Sequence, residues 1–322
     1  MRSPHTLPLD DRFEVRINSF VPAANNHLFN EPEFFRLHAS SANDVYAQLV
    51  RSADSTVFAT IAVYDLGDGA YASPRQGTFG GVGLNCACEL PLIERFLLVV
   101  LGHVKAAGAG SIELKCPPFS HDLALMSVVS NILLRRGAVL SGWELNYDMQ
   151  VDRRALLERI DYGNVKRIRK CLRQGFSAQK LPDAACAQVH QLISDNRARR
   201  GYALSMSAEQ LAAMASLFPG RLHFFAVYPR ERAAGMAAAA VCMALTPKIL
   251  YVFYWGDSAG MESYSPTAML AGYIYEFCQS SGFALLDAGT STVDGEPNHG
   301  LARFKKNLGF SESLKLAYRW PT

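Results

Sequence analysis

One succession of sequence patterns occurs twice in this chain, and it constrains the fold more than any other feature. A helix-like segment, a glycine and an apolar strand-like run follow one another in GHVKAAGAGSIELKCPP and again in IYEFCQSSGFALLDAGT. HDLALMSVVSNILLRRGAVL and HGLARFKKNLGFSESL form a second matching pair in the same order. Such segments arise by chance in any α/β protein, but two matches in one order favour an internal duplication. We therefore predict two tandem units with mixed α/β sheets, residues 1–155 and 156–322, the first being a degenerate copy of the second.

Hydrophobic periodicity predicts which segments form the elements of each unit. In the first unit it predicts strands over Val57–Tyr64, Gly69–Ser73, Ser111–Pro117 and Val139–Asp148, and helices over Leu92–Ala107 and His121–Arg136. In the second unit it predicts helices over Asp183–Arg200, Ala208–Phe218, Thr267–Ser280 and Gly300–Leu308, and strands over Leu222–Tyr228, Met236–Leu245, Ile249–Trp255, Phe283–Gly289 and Ser313–Trp320.

Composition and charge indicate a folded chain with no general affinity for polyanions. The 322 residues are 49% hydrophobic and 19% charged, and the formal net charge is only +3. The seven cysteines show no CxxC or Cys/His ligand spacing, which predicts free thiols and neither a metal site nor a tightly bound cofactor. No apolar run is long enough to cross a bilayer and no secretory signal is recognisable, so we predict a soluble, cytoplasmic protein. The sequence does not indicate the oligomeric state.

A basic helix-like segment, NVKRIRKCLRQGF, lies between the two units. Helical spacing places Lys166, Arg169, Lys170 and Arg173 on one face and Val165, Ile168 and Leu172 on the other. Two interpretations remain open: a solvated amphipathic helix that joins the units, or a basic wall beside an anionic substrate.

The loop and helix start in GDSAGMESYSPTAML suggest a site for an anion. Ser265 suits the N-cap, Pro266 suits the first helical position, and Thr267 adds a hydroxyl. Because the first N–H groups of a helix have no partner within the helix, such a start favours a phosphate. Tyr254 and Trp255 end the preceding strand, where they form either the rim of the core or contacts to an acyl chain.

Asp287 ends the apolar strand ALLDAG, and Lys305 and Lys306 lie on the short helix that follows. The carboxylate is either a turn former beside Gly289 or a site residue at the edge of a sheet. Adjacent helical residues point in different directions, so one of these lysines can face a cleft while the other faces water. The alternative is two surface lysines near the C-terminus of a helix, which favours cations.

Three segments of the second half, YWGDSAGMESYSPTAML, GFALLDAGT and GLARFKKNLGF, resemble the Fem-type branch of the GNAT acyl-CoA N-acyltransferase superfamily. In the first half, YASPRQGTFGGVG resembles the Ser-Pro and Gly-Gly segment of that branch, so the resemblance spans nearly the whole chain. It implies two GNAT-like units and the transfer of an acyl or aminoacyl group to an amine acceptor, either a small molecule or a peptide. Some members of the branch take the group from aminoacyl-tRNA and extend a peptidoglycan precursor, whereas others resemble acyl-CoA-dependent enzymes.

The resemblance also assigns roles to individual residues. Lys305 falls on the lysine of the family's FK segment, where its ammonium would stabilise negative charge on the substrate or on the tetrahedral intermediate. Asp287 falls on the strand-end aspartate, and this carboxylate or a water would take the proton of the amine. The resemblance also favours Lys305 as the lysine that faces inward, and it places Ser265 and Pro266 at the helix start after the donor loop. For the donor site we predict Tyr254, Trp255, Tyr264, Ser265 and Thr267, and for the acceptor site Asn298 and Lys306.

The donor remains open between two classes. The GDSAGMES loop lacks the Arg/Gln-rich pyrophosphate sequence of ordinary GNATs, and the chain lacks the long charged heptad arm of tRNA-dependent relatives. Of the two co-substrates, we favour acyl-CoA over aminoacyl-tRNA. A third interpretation, a binding protein that has lost the chemistry, predicts that Trp255 or Tyr264 fills the donor site.

Overall fold

The computed structural model describes residues 3–23 and 26–321, which form two compact units. Unit 1 comprises the described residues up to 145, residues 292–296 and residues 313–321. Unit 2 comprises residues 146–291 and 297–312. Within the described ranges, no helix combines the length and the hydrophobicity that a bilayer span requires.

The strands of the described residues are β1 (His5–Pro8), β2 (Phe13–Ile17), β3 (Val45–Arg51), β4 (Val57–Gly67), β5 (Ala70–Ser73), β6 (Gly83–Leu84), β7 (Ser111–Pro118), β8 (Val139–Gln150), β9 (Ser177–Leu181), β10 (Leu222–Tyr228), β11 (Ala238–Thr246), β12 (Ile249–Asp257), β13 (Leu285–Thr290), β14 (Thr292–Val293), β15 (Glu296–Pro297) and β16 (Ser311–Trp320). The α-helices are α1 (Pro32–His38), α2 (Leu90–Ala106), α3 (Leu123–Arg135), α4 (Tyr162–Arg173), α5 (Cys186–Ala198), α6 (Ala208–Leu217), α7 (Pro266–Ser281) and α8 (His299–Asn307).

Unit 1 is a mixed sheet in the order β1-β2-β3-β4-β5-β7-β16, followed by the first part of β8. Strands β5 and β7 are parallel, whereas β7 and β16 are antiparallel. Helix α2 packs against β2, β3 and α3, because its apolar residues recur at helical spacing and form one buried stripe. The core of the unit lies between these helices and the sheet.

Unit 2 contains a sheet in the order β13-β12-β11-β10-β9, with the last part of β8 beside β13. His223 and Phe225 of β10 contact Phe277 of α7, each with ring centroids 5.1 Å apart, so these side chains mark the α7 face of the sheet. Phe224 points to the opposite face and lies in register, across β11, with Tyr254 of β12. The hydroxyl of Tyr254 bonds to the loop between α5 and α6, so these two helices cover that face.

The predicted mixed α/β fold class is confirmed, and the predicted helices and strands all occur with small shifts at their ends. Sequence periodicity missed α1 and the strands β1, β2, β3, β6, β9, β14 and β15. In β3 the reason is visible, because nearly every residue is buried and alternation is lost. Gln48 can be buried in this strand because its side-chain amide has backbone partners at Val21. Its Oε1 accepts from the Val21 N–H and its Nε2 donates to the Val21 carbonyl oxygen, both at 2.7 Å.

The observed units differ from the predicted division at residue 155 in part because of strand β16, which the prediction placed in the second unit. The predicted domain boundary stays a prediction. Most of β16 belongs to unit 1, where Tyr318 lies opposite Leu114 of β7 and packs in the core. Residues 146–150 of β8 belong to unit 2, where Met149 lies opposite Leu286 of β13. Hydrophobic periodicity cannot assign strands to partners, because it does not record which distant strand supplies the hydrogen bonds.

Helix α4 forms in the predicted basic segment, but its buried stripe differs from the prediction at one position. Val165, Ile168 and Cys171 are buried, whereas Leu172 is 53% exposed. The prediction for Leu172 was wrong because the stripe passes through Cys171, and each helical step turns the side chain by about 100°. The predicted cations do lie on the outer part of the helix.

A pair of glycine substitutions is expected to have opposite effects on the stability of unit 1. A Cβ at Gly80 would lie 2.7 Å from Ser73 Oγ and 2.8 Å from the backbone nitrogen of Pro74, so Gly80→Ala should lower the free energy of unfolding by about 1–3 kcal/mol. A Cβ at Gly102, in α2, would meet no atom within 4 Å beyond the backbone of its own helix, so Gly102→Ala should raise that free energy by about 0.5–1 kcal/mol. Urea unfolding measures both values, and effects of the same sign would contradict this account.

Candidate active site in unit 2

The two parallel strands of unit 2 separate part of the way along their length. Strand β12 pairs with β13 from Ile249 opposite Leu285 to Tyr251 opposite Asp287, and the pairing ends there. Strand β12 continues to Asp257 and remains paired with β11 on its other side. The edge of β12 that faces β13 therefore lacks a strand partner beyond Tyr251, among the residues described. Free backbone groups at such an edge can bind a ligand.

A β-bulge lies in β12 just where the strands separate. Val252 lies opposite Cys242 and Tyr254 lies opposite Val241, so Phe253 is an additional residue in β12. Because of this extra residue, Tyr251 and Tyr254 point to the same face of the sheet although they are three positions apart. That face is the one covered by α5 and α6.

Asp287 is fully buried at the last paired position of β13. Its Oδ1 accepts hydrogen bonds from Asn146 Nδ2 at 2.8 Å and from the backbone N–H of Gly289 at 2.7 Å. Asp287 therefore bonds to the turn at Gly289 and also lies beside the strand opening, and its role as a site residue stays a prediction. Gly289 has a φ of +74°, and a Cβ there would lie 3.3 Å from the ring of Tyr251. These constraints favour glycine at this position.

Lys305 lies inside the protein and is only 2% exposed. Its Nζ donates to the carbonyl oxygens of Gly289 at 2.9 Å and of Thr290 at 2.7 Å, both at the end of β13. Burial lowers the pKa of Lys305 to about 7, the charge of Asp287 acts in the opposite direction, and the charge of Arg197 lowers it further. The amine therefore titrates near neutral pH, so both its charged and its neutral form are accessible there.

Lys306 and Asn298, which the sequence assigned to the acceptor, occupy the outside and the start of α8. The side chain of Lys306 is 67% exposed, and its Nζ lies 3.0 Å from Glu312. This ion pair raises the pKa of Lys306, with the hydrogen bond to Glu312 as the main cause. Asn298 is the N-cap of α8, and its Oδ1 accepts from the N–H of Leu301 at 3.0 Å. The acceptor roles of both residues stay predictions.

The start of α7 has the predicted residues but a different local geometry. Pro266 is the first helical residue, and Thr267 is buried. Ser265 occupies the N-cap position with a φ of +55° and a ψ of +56°, in the left-handed region, and its side chain makes no capping bond. The expectation that the Ser265 hydroxyl caps the helix is therefore wrong, because a left-handed N-cap residue is not in the extended conformation that capping uses. Anion binding by the backbone N–H groups of the first turn stays a prediction.

The three aromatic residues assigned to the donor all have contacts within unit 2. The Tyr254 hydroxyl accepts from the backbone N–H groups of Ser205 at 3.1 Å and Met206 at 3.2 Å. Trp255 is 9% exposed, and its ring lies 5.8 Å from that of Phe304 in α8. These contacts keep Tyr254 and Trp255, which are both predicted to bind the donor, in the interior of the unit.

Tyr264 connects the loop before α7 to helix α4. Its ring lies 5.1 Å from that of Phe176, and Lys170 Nζ lies 4.4 Å from the ring centroid. Lys170 Nζ also donates to the carbonyl oxygen of Ser263 at 3.1 Å. The basic helix therefore borders the loop that the sequence assigned to the donor.

Sequence reasoning missed Asn146, Tyr251 and the bulge at Phe253. Asn146 lies far from Asp287 in the sequence, and no local pattern relates the two residues. The run LYVFYWG in β12 carries aromatic residues at consecutive positions, and this break in alternation was the available signal for the bulge.

No predicted site residue lines the cavity of about 660 Å³ that lies between α5 and the start of the loop before α7. Its polar lining includes Asp195 and Arg199 of the α5 region and Ser258 of the loop. Within the described ranges, no three His, Cys, Asp or Glu side chains come together as a metal-binding group.

Comparisons with known proteins find relatives by structure only. No protein-family model matches the sequence, and no curated protein matches it. The crystal structure of FemX is similar, with a TM-score of 0.69 and 12% identity over 93% of this chain and 93% of that chain. The structure of L-PGS from Bacillus licheniformis is similar with a TM-score of 0.57 and 11% identity, over 93% of this chain and 88% of that chain.

A third similar structure is the C-terminal domain of a putative lysylphosphatidylglycerol synthetase from Agrobacterium fabrum. Its TM-score is 0.55, at 12% identity over 87% of this chain and 85% of that chain. The resemblance found in the sequence is thus confirmed at the level of the fold, which is a Fem-like GNAT fold.

Proposed function

We propose that this chain, on its Fem-like GNAT fold, transfers an acyl or aminoacyl group from an activated donor to an amine in unit 2. The observation that supports this most is the separation of β12 from β13 at Tyr251 and Asp287, with the buried amine of Lys305 held at the end of β13. This arrangement brings a free strand edge and two ionisable groups together in a site with little water. Preorganised donors in such a site stabilise developing charge more strongly than water does.

In the proposed reaction, the nitrogen of the acceptor amine forms a bond to the carbonyl carbon of a thioester or an ester. The bond from that carbon to sulfur or oxygen breaks, and the carbonyl oxygen carries negative charge in the tetrahedral intermediate. One N–H proton of the attacking amine passes to a base, and the leaving thiolate or alkoxide gains a proton. Backbone N–H groups of β12 beyond Tyr251 would stabilise the oxyanion.

Lys305 and Asp287 would act on charge and protons beside that edge. Lys305 has a pKa of about 7, so it can exist as a cation or as a neutral amine at neutral pH. As a cation it would stabilise the oxyanion, as the resemblance implies. Asp287 is fully buried and bonds to Asn146 and Gly289, so it would orient the turn and balance the charge of Lys305. A water bound beside Asp287 would then take the proton of the acceptor amine.

The charge of α4 favours a donor that carries phosphate. This helix contains five cations and no acidic residue, and none of the five forms an ion pair with a described residue: Lys166, Arg167, Arg169, Lys170 and Arg173. Lys170 bonds to the loop before α7, so the cations adjoin the proposed donor site. Acyl-CoA and aminoacyl-tRNA both carry phosphate, and acyl-CoA is the donor that we favour.

A second candidate function is a binding protein without catalysis on the same fold. The packing of Trp255 against Phe304 favours it, because this ring was proposed to contact the donor and is instead 9% exposed. The two candidates differ in whether an acyl donor binds and reacts.

Donor binding is the first test of the proposed function. Acetyl-CoA and longer acyl-CoAs at a hundred times their Kd should stabilise the wild-type protein by roughly 2.7 kcal/mol, which a thermal melt detects. Lys166→Glu combined with Arg169→Glu should weaken this binding, because like charges would then repel the phosphates. Lys105→Glu combined with Arg319→Glu makes the same change in net charge at exposed positions of unit 1 and should leave binding unchanged.

Transfer is then measured by mass spectrometry on a set of amino-acid and peptide amines. Lys305→Met should abolish the acylated product, and Lys105→Met, at an exposed position of unit 1, should retain it. If acyl-CoAs fail and charged tRNA binds, the donor is aminoacyl-tRNA. If neither donor binds, the binding protein is the better account.

A further inference from the structure

The guanidinium of Arg197 is a cation of unit 2 that lacks a counter-ion among the described residues. Arg197 lies in the last turn of α5, is half-buried, and has a buried Nε. Its side chain makes no hydrogen bond, ion pair or ring contact with any residue that the structure describes. A desolvated cation without a partner costs free energy, so an arginine in this state is typical of a site that an anion completes.

Helix α5, which carries Arg197, packs on the face of β12 where Tyr251 and Tyr254 lie. Asn196, the preceding residue, donates from Nδ2 to the carbonyl oxygen of Asp257 at 2.9 Å, which fixes the end of α5 at the end of β12. The bulge at Phe253 turns Tyr251 and Tyr254 to the α5 face, and the charge of Arg197 interacts with both phenols. Arg197 is therefore on the side of β12 where these tyrosines lie.

Arg197 also lies close enough to Lys305 for its charge to lower the pKa of that lysine. Burial is the main cause that lowers the pKa of Arg197 itself, and the neighbouring charge of Arg200 lowers it further. Nearby Asp257 is already used, because Asn196 donates to it and Arg200 lies 3.8 Å from its Oδ1. Burial, Arg200 and three tyrosines are the main causes of the pKa shift of Arg197, and no carboxylate is among them.

The groups that face Arg197 are thus tyrosines and cations. Tyr251 and Tyr254 come from β12, Tyr202 from the loop after α5, and Lys305 from α8. Asp287 balances Lys305 and is not among the main groups that shift the pKa of Arg197. When Lys305 is protonated, the site therefore has an excess of positive charge.

We propose that Arg197 binds an anionic group, a carboxylate or a phosphate, on the substrate that reacts in unit 2. This inference rests on the proposed function and names the chemical class of the substrate. A guanidinium can bind either group through two parallel hydrogen bonds, and this geometry also orients the molecule that carries the anion. The carboxylate would belong to an acceptor such as an amino acid or a peptide, and the phosphate would belong to the donor. A substrate without such a group would leave Arg197 unpaired and would bind more weakly.

Thermal melts with three small probes test the inference and separate the two sources. Glycylglycine presents a carboxylate, glycylglycine amide lacks it, and inorganic phosphate presents the other anion; sodium chloride keeps the ionic strength constant. One of the two anions should raise the Tm of the wild type, and glycylglycine amide should not. Arg197→Gln should raise the Kd for that anion by at least about tenfold, because a charge-assisted bidentate contact is lost.

Two further variants separate binding from folding. Without ligand, Arg197→Gln should melt at or above the wild-type temperature, since it removes a buried charge without a partner. Arg197→Lys keeps the charge but loses the planar guanidinium that forms two parallel hydrogen bonds, so it should bind the anion with an affinity between those of the wild type and Arg197→Gln. Arg199→Gln alters a neighbouring arginine, which donates to the backbone of Asp257, and should leave the anion affinity unchanged.

Three results would overturn the inference: no anion stabilises the wild type, Arg197→Gln binds the anion as tightly as the wild type, or Arg199→Gln has the larger effect. A destabilised Arg197→Gln with normal anion binding by Arg197→Lys would also overturn it, by assigning Arg197 a structural role. Anion binding through Arg197 without any donor binding would reject the proposed transfer and keep this inference. Transfer that is unchanged in Arg197→Gln would reject this inference and keep the proposed transfer.

Discussion

Replacing Asp287 with alanine is expected to reduce the free energy of unfolding by about 3–5 kcal/mol. The change removes the acceptor of Asn146 Nδ2 and of the Gly289 N–H, both of which are bonded to Oδ1 in the interior. It also removes the carboxylate whose charge raises the pKa of Lys305. Each loss leaves a buried polar group without its partner, and such groups are costly at low dielectric. Chemical denaturation at pH 7 measures the effect.

Two substitutions distinguish the charge of Asp287 from its hydrogen bonds. Asp287→Asn keeps an oxygen acceptor but loses the charge, so it should be less destabilising than alanine and should lower the pKa of Lys305 further. Asp11→Ala, at an exposed position, should change stability by no more than about 0.5 kcal/mol. A loss below about 1 kcal/mol for Asp287→Ala would show that the buried network contributes little to stability.

Lys305→Met is expected to change how stability depends on pH. The pKa of Lys305 is about 7 in the folded protein and 10.5 in the unfolded chain, so the unfolded state binds more protons between these values. The free energy of unfolding of the wild type therefore increases as pH rises from about 7 to 10.5, and this stabilisation is lost as pH falls toward 7. The full shift corresponds to about 5 kcal/mol, of which about 2 kcal/mol falls between pH 7 and pH 9.

The comparison of wild type and variant isolates this contribution, because other groups titrate in the same range. Burial raises the pKa of Cys116 and of Cys278 to about 12, and these thiols lower stability as pH rises. They are common to both proteins, so the difference in unfolding free energy between wild type and Lys305→Met should change by about 2 kcal/mol from pH 7 to pH 9. Lys306→Met should track the wild type, since Lys306 is exposed. A constant difference would mean that Lys305 has an ordinary pKa.

The helices and most strands were predictable because the pattern that marks them is local. A helix such as α7 shows its apolar stripe, its Pro266 and its terminal Gly282 within one continuous segment. Helical geometry predicted that Lys305 and Lys306 point in different directions, and the family resemblance indicated which one faces inward; Lys305 is buried and Lys306 is exposed. The roles of the predicted site residues remain proposals.

The geometry of the site depended on contacts between residues that are distant in the sequence. Asn146 and Asp287 meet only because β8 pairs with β13. Ser265 takes a left-handed conformation that its identity does not require, and the Trp255 ring packs on Phe304 of a later helix. None of these contacts leaves a local signal.

The sequence by itself determined the periodicity of the elements, the duplication of their order and the different directions of Lys305 and Lys306 on α8, because these depend on the spacing of neighbouring side chains. Tertiary structure alone decided that β12 and β13 pair and then separate, that Lys305 bonds to the end of β13, and that Arg197 lies near Lys305 without a counter-ion among the described residues. The physical reason is that strand pairing, burial and electrostatic environment are set by the packing of distant segments. They exist only once those segments are brought together.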